Sequence, residues 1–271
     1  MRIKKILVPT DFSSAANNAL LYAAGIAQHY RAQIDLFHAY TIPVLTARGK
    51  PVLTNPQVAR ANRQVAEEEL EKTKKIVSRQ NLLSVNSTAI PINWQMELAE
   101  VIHNQKADLI VMGTTGASGL KKIFMGSNAA RVIQNSPVPV LAVPEHAEFR
   151  AYLKIGLAYD GLQIKEFRKL SIINSFKNTL NASIQVFQIV GNKRSPSSHL
   201  SRLINFLSDA KGDYIYESEI KSAILKCIKR NHFDMLVMVP RHHGFFHNLV
   251  NGSITKRIAY KISIPLLAIP E

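Results

Sequence analysis

Residues 108–145 read DLIVMGTTGASGLKKIFMGSNAARVIQNSPVPVLAVPE, and residues 234–271 read DMLVMVPRHHGFFHNLVNGSITKRIAYKISIPLLAIPE. The two stretches align without a gap. Asp108 meets Asp234, Met112 meets Met238, Gly126-Ser127 meets Gly252-Ser253, and VPVLAVPE meets IPLLAIPE. Self-similarity at a fixed spacing is read before anything else, because it sets the architecture. The starts match too. KKILVPTDFS from Lys4 resembles YLKIGLAYDG from Tyr152, with Asp11 opposite Asp160. The chain therefore reads as a tandem duplication with a boundary near Glu145–Arg150, giving domains over 1–147 and 148–271.

Within the first domain, strand and helix patterns alternate. ILVP is a short β-branched run. SSAANNALLYAAGIAQHY is alanine-rich with apolar residues at helical spacing, and Ser13 or Ser14 can cap its start. AQIDLFHAY reads as a second strand, 58–80 as a charged amphipathic helix, and STAIPINW as a third strand. A short helix over MELAEVIHNQ, the strand DLIVMG, the helix GSNAARVIQNS and the strand VPVLAV follow. Strands alternating with helices, the strands nearly all apolar, predict an α/β fold. Each domain should be a five-stranded parallel sheet with helices on both faces. The second domain repeats the plan with a shorter middle. The segment 41–57 reads equally as a lid or as a plain surface loop.

The glycine loop carries the functional reading. Residues 112–128 hold Gly113, Gly116, Gly119 and Gly126, four of the twelve glycines in the chain. In an open parallel sheet, ligands bind outside the carboxyl ends of the strands. This loop leaves such an end and enters a helix near Ser127. Glycines there allow positive φ and close backbone approach. A helix N-terminus adds unpaired N–H groups and partial positive charge, which favours phosphate. Ser127, Asn128, Lys121 and Lys122 could add donors and charge. Neither the GxxxxGK[ST] loop nor the GxGxxG fingerprint is present, so a nucleotide site must be of another kind.

Composition narrows the alternatives. The net charge is +15, but it is spread over both halves with no basic block interleaved with aromatics, which makes nucleic-acid binding a weak reading. No apolar run approaches the ~18 residues of a membrane span, and MRIKKILVPTDF lacks a signal-peptide pattern. The lone Cys227 excludes an intramolecular disulfide and fits a cytoplasmic setting. His242, His243 and His247 lie in a Gly- and Phe-containing stretch without neighbouring Cys, Asp or Glu. They read as loop histidines rather than metal ligands.

Gly113-x2-Gly116-x9-Gly126-Ser127 matches the G-x2-G-x9-G-[S/T] motif of the universal stress protein (UspA-like) family, whose adenine nucleotide alpha-hydrolase-like fold is Rossmann-like. KILVPTDFS, LFHAY, ADLIVMGTTG and SPVPVLAVP resemble the hallmark segments of that family. The resemblance covers nearly all of the first half, and the second half more weakly. It implies ATP, with or without Mg2+, as cofactor. It places Pro9, Thr10 and Asp11 on the ribose or adenine side, and Ala39 against adenine. Met112, Gly113, Gly116, Gly126, Ser127 and Asn128 would lie around the phosphates. Asp11 also reads as a simple turn or helix-capping residue.

In the second domain Val239-Pro240-Arg241-His242 replaces Gly113-Thr114-Thr115-Gly116, and Pro240 lacks an N–H, so that site should bind ATP poorly or not at all. No nucleophile–base pair is legible. The leading reading is an ATP-binding regulatory protein of the stress response with an unknown protein partner. The alternatives are an interaction scaffold without nucleotide, and a slow ATPase or autophosphorylating protein. The apolar last strands, VPVLAV and IPLLAI, should pair with each other in an intramolecular pseudo-dimer, with a further homodimer left open.

Overall fold

A computed structural model of the chain describes residues 2–41, 45–47, 50–52, 56–81, 83–92, 101–102, 105–114, 126–164, 166–190, 197–217, 219–240 and 263–270. The chain begins with β1 (Lys5–Pro9), α1 (Ser14–Tyr30) and β2 (Gln33–Thr41). The expected lid or loop contains two short antiparallel strands, β3 (Leu45–Ala47) and β4 (Lys50–Val52). Then come α2 (Pro56–Asn81), β5 (Val85–Ile92), β6 (Leu109–Gly113), α3 (Ser127–Asn135) and β7 (Val140–Val143). Only residues 101–102 of the expected MELAEVIHNQ helix are both described and helical.

The second half contributes β8 (Lys154–Tyr159), α4 (Ser171–Thr179) after a 3-10 turn at Phe167–Leu170, and β9 (Ser183–Val190). It continues through α5 (His199–Phe206), β10 (Lys211–Tyr216), α6 (Ile220–Asn231), β11 (Met235–Met238) and β12 (Leu266–Ala268).

Ten strands form one sheet in the order β10-β9-β8-β11-β12-β7-β6-β1-β2-β5. Each half has the same internal order: its first strand lies between its second and its fourth. Within this sheet, pairing inside each half is parallel. The halves join where β7 and β12 pair antiparallel, Leu141 opposite Leu267. Strand side chains alternate between faces. Ile6, Val8, Leu36, Val111, Leu141, Val186 and Leu267 belong to one core that runs across the junction. On the opposite face Leu7, Phe37, Ile110 and Met112 belong to a mainly first-half cluster that takes in Ala268 of β12, and Ala158, Phe187, Leu236 and Met238 to a second-half one.

Polar bonds reinforce the junction. The buried Tyr30 hydroxyl donates to Ser175 Oγ across it at 3.1 Å, and within the first half Asn18 Nδ2 donates to the carbonyls of Pro144 and Ala147, just after β7, at 2.8 and 2.9 Å. Two aligned aspartates also act alike. Asp108 Oδ2 accepts from the Lys4 and Lys5 amides, and Asp234 Oδ2 accepts from the Lys154 amide. Each ties the start of its half's fourth strand to the start of the first. Among the described residues no helix is long and apolar enough to cross a membrane.

Candidate functional site

β1 is flanked by β2 on one side and β6 on the other, and the chain leaves the sheet in opposite directions from β1 and β6. Strand order therefore reverses between them, and the crevice beyond their carboxyl ends is where ligands of open α/β sheets bind. Pro9, Thr10 and Asp11 leave one of these ends, and Met112 and Gly113 leave the other.

The β1 exit is a tightly bonded turn. The buried Thr10 donates its N–H to the Phe37 carbonyl at 2.8 Å, and its Oγ1 accepts from the Phe12 amide at 3.0 Å. Its carbonyl accepts from His38 Nδ1 at 2.8 Å. Asp11 is exposed, and its Oδ1 accepts from Ser13 N at 3.1 Å and Ser13 Oγ at 2.5 Å. Ser13 Oγ in turn accepts from Ala16 N and caps α1. Asp11 thus does hold a turn, as its plainer reading has it. It does so with its side chain at the mouth of the crevice.

Gly113 has a steric duty. A Cβ there would lie 2.9 Å from the carbonyl carbon and oxygen of Ala15, so glycine lets the end of β6 close onto the first turn of α1. The chain is then pinned on both sides of the glycine loop. Thr114 N donates to the Val143 carbonyl at 3.1 Å, and Gly126 N donates to the Thr114 carbonyl at 2.6 Å. Gly126 is the N-cap of α3 with φ −59° and ψ 155°. Gly161 is the only glycine among the described residues at positive φ, so neither Gly113 nor Gly126 uses the freedom expected of it. Gly126 instead leaves the helix start without a side-chain cap. The first-turn N–H groups of α3 and their partial positive charge are thereby presented beside the end of β6.

Ser127 and Asn128 are exposed on that turn, while Ala129, Val132 and Ile133 bury the other side of α3 in the cluster that holds Met112. Met112 is itself buried, so only its backbone is available to a ligand. Gly116, Gly119, Lys121 and Lys122 lie outside the described residues.

Beside Ala39 opens a cleft of about 470 Å³, lined by Phe12, His38, Ala39, Tyr40, Thr41, Asn62, Val65, Ala66 and Glu69. Phe12 lies against the His38 ring, with centroids 4.3 Å apart and planes at 34°. Sequence reasoning missed Phe12 and the α2 wall, because nothing in the local pattern announces that α2 faces the end of β2.

The corresponding region of the second half differs. Asp160 Oδ1 accepts from the Leu162 amide at 3.0 Å, the same bond that Asp11 makes with Ser13 N, but Asp160 is buried. Gln188, aligned with His38, is buried, accepts from Ser197 N at 3.2 Å, and packs its amide against Gly161. Val239 and Pro240 follow β11. Arg241, His242, His243, His247, Gly252 and Ser253 lie outside the described residues.

The sequence profile of the Universal stress protein family matches residues 2–144. A universal stress protein of Methanocaldococcus jannaschii is 36% identical over 143 residues, covering 52% of this chain and 81% of the relative. One from Synechocystis is 24% identical over 289 aligned residues, covering 98% of this chain and 99% of the relative. The crystal structure of a universal stress protein from Archaeoglobus fulgidus superposes with a TM-score of 0.75 at 18% identity, over 98% of this chain and 96% of that one, and so shares the fold.

Proposed function

Because the chain belongs to the universal stress protein family, we propose that it is an ATP-binding regulatory protein whose nucleotide is held by residues 1–147, while residues 148–271 form a second domain without nucleotide. The observation that carries this reading is the uncapped start of α3, held against the end of β6 at the strand-order reversal, with the exposed Asp11 at the adjoining strand end. Backbone N–H groups at a helix start suit phosphate oxygens, and a carboxylate suits ribose hydroxyls.

The residues fit the nucleotide in these roles. Asp11 takes the ribose. Ala39, beside the 470 Å³ cleft, takes the base. The first turn of α3, with Gly126, Ser127 and Asn128, takes the phosphates together with the backbones of Met112, Gly113 and Gly116; Pro9 and Thr10 shape the turn. Mg2+ would arrive on the phosphates, where it would offset their charge. The protein's part is to bind and orient. Among the described residues, Asp11 is engaged by Ser13 and Glu69 of the cleft wall is paired with Lys72, an arrangement that supports occupancy over turnover. We place this activity in the cytoplasm, with ATP occupancy altering the shape offered to a protein partner.

Calorimetric titration of the full chain with ATP, with chromatography of the nucleotide afterwards, tests the reading. Saturable binding with ATP recovered intact supports it. ADP accumulating with turnover would favour an ATPase, and no binding would favour a scaffold.

A further inference from the structure

We propose that Phe12 is the base-recognising residue of the first-half site: its ring is a flat wall of the cleft beside Ala39, on which a planar heteroaromatic base stacks. This deepens the nucleotide reading above and rests on it. Phe12 has φ 63°, a left-handed conformation that is uncommon for a bulky residue and that Tyr152, exposed ahead of β8, shares. Arg31 and His232 share that conformation as C-caps of α1 and α6, a common way to end a helix. Phe12 instead precedes a helix, in the turn that opens the site.

The aligned turn of the second half shows what this backbone prefers. There the left-handed position is Gly161, at φ 79°, following an aspartate that makes the same side-chain-to-backbone bond. Glycine meets that geometry without strain. The first half keeps an aromatic residue in the same place. It holds it with the Phe12 N–H on Thr10 Oγ1, the ring against His38, and His38 Nδ1 on the Thr10 carbonyl. Strain maintained by surrounding contacts marks functional positions.

The difference in outcome follows the side chain. Phe12 and His38 line an open cleft of about 470 Å³, whose far wall is Asn62, Val65, Ala66 and Glu69 of α2. At the second-half turn, Gln188 packs against Gly161 and reaches the Ser197 backbone. A cleft with an aromatic wall facing Val65 and Ala66, with Asn62 and Glu69 beside them, suits a flat ring with polar edges, and aromatic stacking recognises the π-face that every base has. Phosphate recognition is left to the start of α3. The two parts of the ligand should therefore separate under mutation.

The test uses the full chain and two probes, ATP and inorganic tripolyphosphate. Phe12→Gly, the residue natural to the second-half turn, should melt within a few degrees of the parent protein. It should bind ATP about 10- to 100-fold more weakly and tripolyphosphate as before. Phe12→Asn, which tolerates the left-handed region, gives the same result if the glycine variant fails to fold. Phe12→Tyr keeps the flat ring and should retain ATP affinity. ATP affinity unchanged in Phe12→Gly or Phe12→Asn, tripolyphosphate affinity falling in step with ATP, or Phe12→Tyr as weak as Phe12→Gly would each overturn the assignment while leaving ATP binding intact. A parent protein that binds ATP not at all would overturn the underlying reading, and this one with it.

Discussion

After β1, Asp11 accepts a hydrogen bond from Ser13 N, and the residue between them is left-handed; after β8, Asp160 does the same with Leu162 N around Gly161. From this shared geometry the two halves diverge. In the first, the carboxylate is exposed, the left-handed residue is an aromatic beside an open cleft, and Gly113 lets the end of β6 close onto α1. In the second, the carboxylate is buried, Gln188 fills the space at the turn, and the position aligned with Gly113 is Val239, buried against the core. An identical strand order thus supplies only the crevice. Side chains at the strand ends set what lines it.

The most disruptive way to test the relation between the halves is at their junction. Leu267 is fully buried opposite Leu141, in the core that crosses from one half to the other. Leu267→Asp would bury an unpaired carboxylate, and we expect a loss of about 4 kcal/mol or more in urea denaturation, with both halves unfolding together. A loss below about 1 kcal/mol would contradict a shared core. Gly113→Val comes next. Its new Cβ meets Ala15 backbone, so the fold should lose about 1–3 kcal/mol by the same measurement whether or not nucleotide is present. That variant cannot separate binding from folding, which makes Phe12→Gly the cleaner probe of the site.

Ser13→Ala removes the α1 cap and should cost about 1 kcal/mol. A neutral result would mean that Asp11 alone orders the turn. The smallest effect is expected at Cys227, aligned with Val101 and likewise buried. Burial pushes its thiol from the ordinary 9.0 up to about 11. The unfolded chain then ionises first as pH rises, so this contribution to stability is present below pH 9 and lost between about 9 and 11. At pH 8 iodoacetamide should label the native protein far more slowly than the urea-unfolded one, and equal rates would place the thiol in water.

Much of the fold could be read from alternating patterns, because the strands are apolar runs and α1 carries its own cap. The ends of the G-x2-G-x9-G-S motif could be located because both are tied to β6 through Thr114. Their geometry could not. Gly113 is required by Ala15, a residue ninety-eight positions away in sequence, and Gly126 serves by lacking a capping side chain rather than by adopting positive φ. Phe12 was illegible for a similar reason. Its strain shows only against the aligned Gly161, and its cleft exists only once α2 packs against β2. The two strands inside 41–57 were hidden by the three prolines there, which read as loop.

We propose that one half of this chain holds a nucleotide and the other does not. Native mass spectrometry of the full chain with saturating ATP tests it most directly. A single adduct of one ATP per chain is expected. Two per chain would contradict a second half without nucleotide, and none would contradict a first half that binds it.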